Sequence, residues 1–292
     1  MPVEPPIETP DTLAEAYSIL AGSTVDTPII PIAGGTDVMV QITGEVGDPP
    51  ERMIDLSRLA ELRGIGVDGA QVVLGALTTY TEIRRSDLCR EHLPTLVEAA
   101  ATIGAAQIQN RGTIGGNIAN ASPAGDTLPV LLALGASIEV GGPRGSRTIG
   151  ADDAWIAYRR TALAPDELIL RVRLPFAAGR ESRFRKVGSR RAQAISKVVL
   201  ALSWREAGRV VTRGAWDDVR LALGSVADRP IRARVTEAVL TGAAPTPATA
   251  DSAAESLAAE IAPIDDVRST ADYRRVVAAR VLHRMIRDAG GW

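Results

Sequence analysis

Residues 113–136 read TIGGNIANASPAGDTLPVLLALGA: a glycine pair, a stretch of small residues, an aspartate and an apolar run. An earlier segment, PIAGGTDVMV at 31–40, carries another glycine pair beside a hydroxyl and a carboxylate. Successive glycines let consecutive backbone N–H groups converge into a nest that holds a phosphate without a cation. A single pair is adequately explained as a tight turn, but two elaborated copies suit a ligand with two phosphates, a dinucleotide. Asp126 then has two readings. It accepts hydrogen bonds from the hydroxyls of a ribose or ribityl chain, or it caps the helix opening at Leu128.

The segments around these motifs alternate between helical and extended patterns. Thr9 as cap, Pro10 in the first turn and the stripe Leu13, Ala16, Tyr17 and Leu20, stopped by Gly22, predict an opening helix. Residues 28–33 predict a buried strand feeding Gly34-Gly35, and 52–56 a second strand. Segments 64–67 and 71–77 flank Asp68-Gly69, a dipeptide suited to positive φ at both centres of a hairpin turn. Pro94, the apolar Leu96, Val97, Ala100 and Ile103, and Gly104 predict a helix that leads to the glycines at 112–116. Strands at 137–140 and 168–174 follow, and Pro175 with Ala177-Ala178-Gly179 marks a boundary. Beyond it, 182–187, 197–204, 210–213 and 219–224 read as an antiparallel meander with a turn at Gly208. Two helices then follow, with Ile231, Val235 and Val239 four apart and Tyr273, Val277, Val281 and Met285 four apart. An Ala/Pro/Thr loop at 243–250 separates them. The run Gly64-Ile65-Gly66-Val67-Asp68-Gly69 matches the dinucleotide fingerprint letter for letter. That fingerprint works only between a strand and a helix, so inside a hairpin it is set aside.

Composition narrows the chemistry. A chain of 292 residues suits about two domains of ~150 residues. The 33 basic and 35 acidic residues leave a net charge of −2, and aromatics make up 3% of the chain. With neither a basic field nor stacking platforms, nucleic acid is excluded as a partner. One cysteine, Cys89, and two histidines, His92 and His283, cannot build a disulfide framework, an iron–sulfur cluster or a zinc site. No protein-bound metal is expected, and redox chemistry would need an organic cofactor. The acidic, proline-rich start is unlike a secretory signal, and the apolar stretch 128–140 is broken by Pro129, Gly135 and Glu139 and is shorter than the ~20 residues of a membrane span. A cytoplasmic protein without a membrane span is the expectation.

Lysine occurs only at 186 and 197. Period-two alternation puts Lys186 on the face of Phe184, with Arg183 and Arg185 opposite. Beside an aromatic redox ring its ammonium would stabilise charge developing on reduction, and the plainer reading is a lysine snorkelling to water. Arg180, Arg183, Arg185, Arg190 and Arg191 read as a solvated face or as a surface for an acidic partner.

Together these pieces resemble the FAD-binding medium subunit of the xanthine dehydrogenase and carbon monoxide dehydrogenase family of molybdenum hydroxylases. The matching segments are 31–40, 113–136, DELILRVRLP at 166–175, AISKVVLA at 194–201, VRLALGSVADRPIRA at 219–233 and DDVRSTADYRR at 265–275, in family order. The resemblance implies an α+β protein: an FAD-binding fold of the vanillyl-alcohol-oxidase (PCMH) type with a C-terminal domain of antiparallel sheet plus helices. The expected divisions are 1–58, 59–177 and 178–292. It also implies a cofactor set in which Ile32, Ala33, Gly34, Gly35, Thr36 and Asp37 wrap the pyrophosphate of a non-covalent FAD. Thr113, Ile114, Gly115, Gly116 and Asn117 form a second phosphate-side loop, and Ser122 joins the set. Asp126 falls on a flavin-contacting aspartate, Ile169 on an apolar contact and Lys186 on a lysine near the isoalloxazine. Ile103 stands where some members place an aromatic, and residues 117–126 look closer to the xanthine and nicotinate branch than to the carbon monoxide branch.

The implied function is an electron-transfer subunit that takes electrons from a hydroxylase partner and passes them to an external acceptor, with no catalytic acid, base or nucleophile of its own. The molybdenum cofactor and 2Fe-2S clusters would sit on a large molybdopterin subunit and a small iron–sulfur subunit, in a heterotrimer or its dimer. Two rival readings are a standalone FAD oxidase or reductase of a small molecule, and an assembly subunit without cofactor. Covalent-flavin oxidases of this fold attach the ring through histidine, and His92 and His283 lie outside every motif. The intact glycine motifs, Asp126 and Lys186 weigh against the cofactor-free reading.

Overall fold

The computed structural model describes residues 5–44, 50–190, 192–207 and 214–292. The chain opens with β1 (Ile7–Glu8), α1 (Leu13–Leu20), β2 (Ile29–Ile32), α2 (Val38–Thr43) and β3 (Arg52–Asp55). β3 is central and parallel to both neighbours, in the order β1-β3-β2. The cap of α1 is Thr12 rather than Thr9: its hydroxyl accepts the Glu15 N–H at 3.2 Å, which places Pro10 outside the helix. Ala16 and Leu20 of α1 pack on Ile29 and Ile54, and Leu77, Leu168 and Leu170 complete this small core from later in the chain. The loop 33–37 therefore leaves the carboxyl end of a parallel strand, where α/β sheets present ligand crevices.

Next come β4 (Ile65–Asp68), β5 (Gln71–Gly75), α3 (Tyr80–Arg85), α4 (Asp87–His92), α5 (Pro94–Ala101), α6 (Ala106–Arg111), α7 (Ile114–Asn120) and α8 (Leu128–Leu134). They are followed by β6 (Ser137–Gly142), β7 (Gly145–Gly150), β8 (Trp155–Ala157), β9 (Arg160–Thr161) and β10 (Leu168–Pro175). The antiparallel sheet runs β4-β5-β10-β6-β7. Asp68 pairs with Gln71, so the hairpin loop is Gly69-Ala70 and only Gly69 takes positive φ, one residue beyond the expected turn. A strand follows this turn, which bears out setting the fingerprint aside. β7 was not foreseen because GSRTIG, on the sheet edge, buries only Ile149 and shows no apolar alternation. Every residue of α8 is buried, since the helix is covered both by the β10 sheet and by the sheet that follows.

The last part holds β11 (Arg180–Val187), β12 (Val198–Glu206), β13 (Trp216–Gly224), β14 (Ile231–Arg232), α9 (Arg234–Leu240), α10 (Pro247–Glu260) and α11 (Ala271–Gly290). The strands form one antiparallel sheet in the order β11-β12-β13-β14. β12 is buried on both faces. Val198, Leu200, Leu202 and Trp204 pack with the C-terminal helices. Val199 and Ala201 join the core around α8, and Ser203 donates to the Ala133 carbonyl at 2.6 Å. The strand predicted at 210–213 and the turn at Gly208 lie outside the described residues. Ile231 belongs to β14, not to a helix. The second half of the predicted loop at 243–250 is the first turn of α10, with Thr246 as cap and Pro247 in the first turn. The alanine-rich face of that helix gave no apolar period to read. The arginine group is not one solvated face, because Arg180 is buried against Asp218 and Ser203 and Arg183 lies over the Trp204 ring. Arg191 lies outside the described residues.

A clip between β7 and the start of β10 offers a test. Arg147 holds Glu167 through two hydrogen bonds of 2.8 and 2.7 Å. These bonds, against the opposing effect of burial, keep the Glu167 carboxyl below the usual glutamate range. A lowered folded-state pKa means that the folded chain binds this proton less readily than the unfolded chain. Its contribution is therefore full above the ordinary glutamate pKa of about 4.3 and is lost as pH falls. Melting curves recorded from neutral to acid pH should show a shallower acid decline for E167Q than for the wild type.

Candidate functional site

A cleft of about 1280 Å³ opens where the three parts of the chain meet. Of the residues expected at the cofactor, Ile32, Ala33, Gly34, Gly35, Thr36, Asp37, Ile103, Thr113, Gly115, Gly116, Asn117, Ser122, Asp126, Ile169 and Lys186 all line it. Ile114 does not. Its side chain is fully buried in the central core, because it occupies the face of α7 turned away from the cleft.

The two glycine pairs turn out to do different work. Gly34 and Gly35 lie in the loop between β2 and α2, with Gly35 at φ +72°. Among the described residues no acceptor takes the N–H groups of Gly34, Gly35, Thr36 or Asp37. A Cβ on Gly34 would collide with the Arg111 carbonyl, so this loop is pressed against the end of α6, and the Arg111 Nε donates back to the Gly34 carbonyl at 3.1 Å. A row of unengaged amides of this kind is what an anion-binding loop would need.

Gly115 and Gly116 instead occupy the first turn of α7, capped by Thr113. Their amides are already used: Ile114 donates to the Thr78 carbonyl, Gly115 to that of Ala76, and Gly116 to the Thr113 hydroxyl at 3.0 Å. The second phosphate-side loop expected here is thus a helix start in which the two glycine amides are already engaged. Its glycines serve close packing, since a Cβ on Gly115 would lie 2.7 Å from the Ala76 carbonyl oxygen.

Asp126 does not cap α8, where Thr127 holds the cap position. Its Oδ2 accepts from Lys186 Nζ at 2.5 Å and from the Thr102 hydroxyl at 3.4 Å, and its Oδ1 accepts from the Ser196 hydroxyl. Lys186 donates further to the Thr102 carbonyl at 2.9 Å. Both charged side chains are below 10% exposed, so Lys186 does not snorkel to water but closes a buried ion pair on the cleft wall. Burial pushes the Asp126 carboxyl up from its ordinary range, opposed by the Lys186 charge and by the hydroxyls of Ser196 and Thr102.

Several cleft residues had no signal in the sequence. Ser196 emerges only when β12 is registered beside β11. Asn120, three residues after Asn117 on the same helix, donates to Asp37 Oδ1 at 2.9 Å and accepts from Arg159 at 2.8 Å. Tyr158 and Arg159 form the tip of the β8–β9 hairpin and edge the cleft. Neither histidine reaches it. His92 stacks on Phe176 with ring centroids 4.2 Å apart, and His283 lies 3.2 Å from Asp251. Neither histidine is therefore placed to form a covalent link to a ligand in the cleft.

Residues 3–177 match the family of FAD binding domains in molybdopterin dehydrogenase, and residues 183–289 match the CO dehydrogenase flavoprotein C-terminal domain. The chain is 32% identical over 281 residues to the carbon monoxide dehydrogenase medium chain of Hydrogenophaga pseudoflava, covering 96% of this chain and 95% of that one. It is 30% identical over 288 residues to the xanthine dehydrogenase FAD-binding subunit of Escherichia coli O157:H7, with 96% and 95% covered. A solved structure of carbon monoxide dehydrogenase from H. pseudoflava superposes with a TM-score of 0.90 at 32% identity, covering 97% of this chain and 96% of that one. Identities of 32% to the carbon monoxide, 30% to the xanthine and, over 240 residues, 34% to a nicotinate dehydrogenase subunit of Eubacterium barkeri do not separate the branches. With its mixed helix-and-sheet architecture, its open amide loop and matches across nearly its full length, the chain belongs to the FAD-binding medium subunits of the molybdopterin-dependent dehydrogenases.

Proposed function

We propose that FAD binds non-covalently in this cleft and that the chain relays electrons from the iron–sulfur clusters of a small partner subunit to an external acceptor. A large molybdopterin subunit would supply those electrons, in a cytoplasmic heterotrimer or its dimer. The observation that carries the proposal is the meeting, in one cleft, of an amide loop without acceptors and a buried Lys186–Asp126 pair. The cleft exceeds the ~300–1,000 Å³ of usual small-ligand pockets, which suits a dinucleotide.

In this reading the loop Ile32–Asp37 holds the pyrophosphate through its N–H groups, and the closeness of Gly34 to α6 fixes the loop before the ligand arrives. Gly115 and Gly116 contribute a smooth helix surface rather than donors, and Asn117, whose Oδ1 accepts from Thr127, presents its side-chain amide beside them. Ile103 and Ile169 supply apolar contact, with Ser122, Asp126 and Lys186 beside them. Bound FAD supplies a redox ring that accepts electrons one at a time and releases them singly or in pairs. Lys186 presents positive charge to that ring, while Asp126 holds its ammonium in place and leaves the pair neutral overall.

The purified chain should be yellow and release about one FAD per chain on acid precipitation, and a colourless chain that stays colourless with added FAD would sink the assignment. Gly34→Ala should displace the loop and abolish FAD retention. K186M should lower the midpoint potential of the bound flavin, measured by dye-coupled reduction. D126N would leave the buried Lys186 without its counter-charge and should cost about 3 kcal/mol in denaturant unfolding.

A further inference from the structure

Arg159 stands out among the cations of the cleft. Lys186 is committed to Asp126 at 2.5 Å, and Arg268 and Arg274 are both committed to Asp266, at 3.3 and 2.7 Å. Arg159 also edges the cleft, yet among the described residues no carboxylate lies within 4 Å of it. One of its guanidinium nitrogens donates to Asn120 Oδ1 at 2.8 Å, and Asn120 in turn donates to Asp37 at 2.9 Å. A side-chain amide thus ties the arginine to the end of the anion loop and leaves most of its five N–H donors unspent.

The backbone adds a second observation. Arg159 sits at φ +50°, a left-handed conformation that disfavours side chains and suits glycine. An arginine kept at a strained hairpin tip points to work done by its side chain. The loop itself supplies a reason. Its N–H groups offer partial positive charge, but Asp37 places a full negative charge at its end, which would repel a pyrophosphate. A guanidinium held over this end by Asn120 offsets that charge and presents a fork matched to phosphate oxygens.

We infer that Arg159 is a binding residue for the pyrophosphate of the cofactor and makes the site select the phosphate-bearing dinucleotide over the bare flavin. The inference rests on the reading that FAD occupies this cleft. The test is fluorescence titration of the flavin-stripped full chain with FAD and, separately, with riboflavin, which lacks phosphate, at low and high salt. The variants are R159G, which relieves the backbone, and R159K, which keeps the charge but loses the fork. R159G should bind FAD about 10- to 100-fold more weakly, as expected for a lost charge-assisted contact, with riboflavin affinity unchanged and a flatter salt dependence. R159K should fall between R159G and wild type. An FAD affinity within twofold of wild type in R159G, or equal losses for FAD and riboflavin, would overturn the inference. A wild-type chain that binds neither flavin would overturn the cleft assignment, and this inference with it.

Discussion

One buried ion pair, Asp126 with Lys186, joins the parts of the chain that meet at the cleft. Asp126 stands just before α8 and Lys186 near the end of β11, 60 residues apart, and their contact at 2.5 Å fastens the last sheet to the glycine-bearing part of the chain at the wall of the cleft. Two charges below 10% exposed are stable only with further hydrogen bonds, and Ser196, Thr102 and the Thr102 carbonyl supply them. Thr102 follows α5 and Ser196 precedes β12, so the pair is fully satisfied only when α5, α8, β11 and the turn before β12 have all docked.

The glycine motifs show how similar residues come to serve unlike purposes. In the loop 33–37, glycine lets the chain approach α6 and leaves amides unspent. In α7 the amides are consumed by Thr78, Ala76 and Thr113, and glycine lets the helix settle against the strand end. The difference lies in what each pair meets, the end of α6 for the first and the turn after β5 for the second, rather than in the motif's own letters.

This distinction marks how much was legible in the sequence. Strands with steady apolar alternation, the long final helix, the existence of the β4–β5 hairpin and the placing of nearly every expected residue at the cleft followed from pattern and resemblance. The opening cap at Thr12, the β7 edge strand and the start of α10 were hidden, because local alternatives at Thr9, in a polar edge and in a Pro/Thr tract looked equally good. The roles of Ile114 and the second glycine pair depended on which face of α7 turned inward, and that of Asp126 on where β11 brought Lys186. Ser196, Asn120 and Arg159 were beyond reach, since their partners are brought together by hairpins and registers that carry almost no sequence signal.

The double burial of β12 has a consequence for how this chain can be divided. Val199 and Ala201 complete the core of the preceding part, while Val198, Leu200 and Leu202 anchor the core that follows. The strand is a party wall: neither room keeps its weather-tightness if the other is demolished. A fragment stopped near residue 177 would leave Phe184, Val199, Ala201 and Ala222 missing from its interior. Exchange of the C-terminal part between relatives would therefore have to carry one face of a foreign core with it.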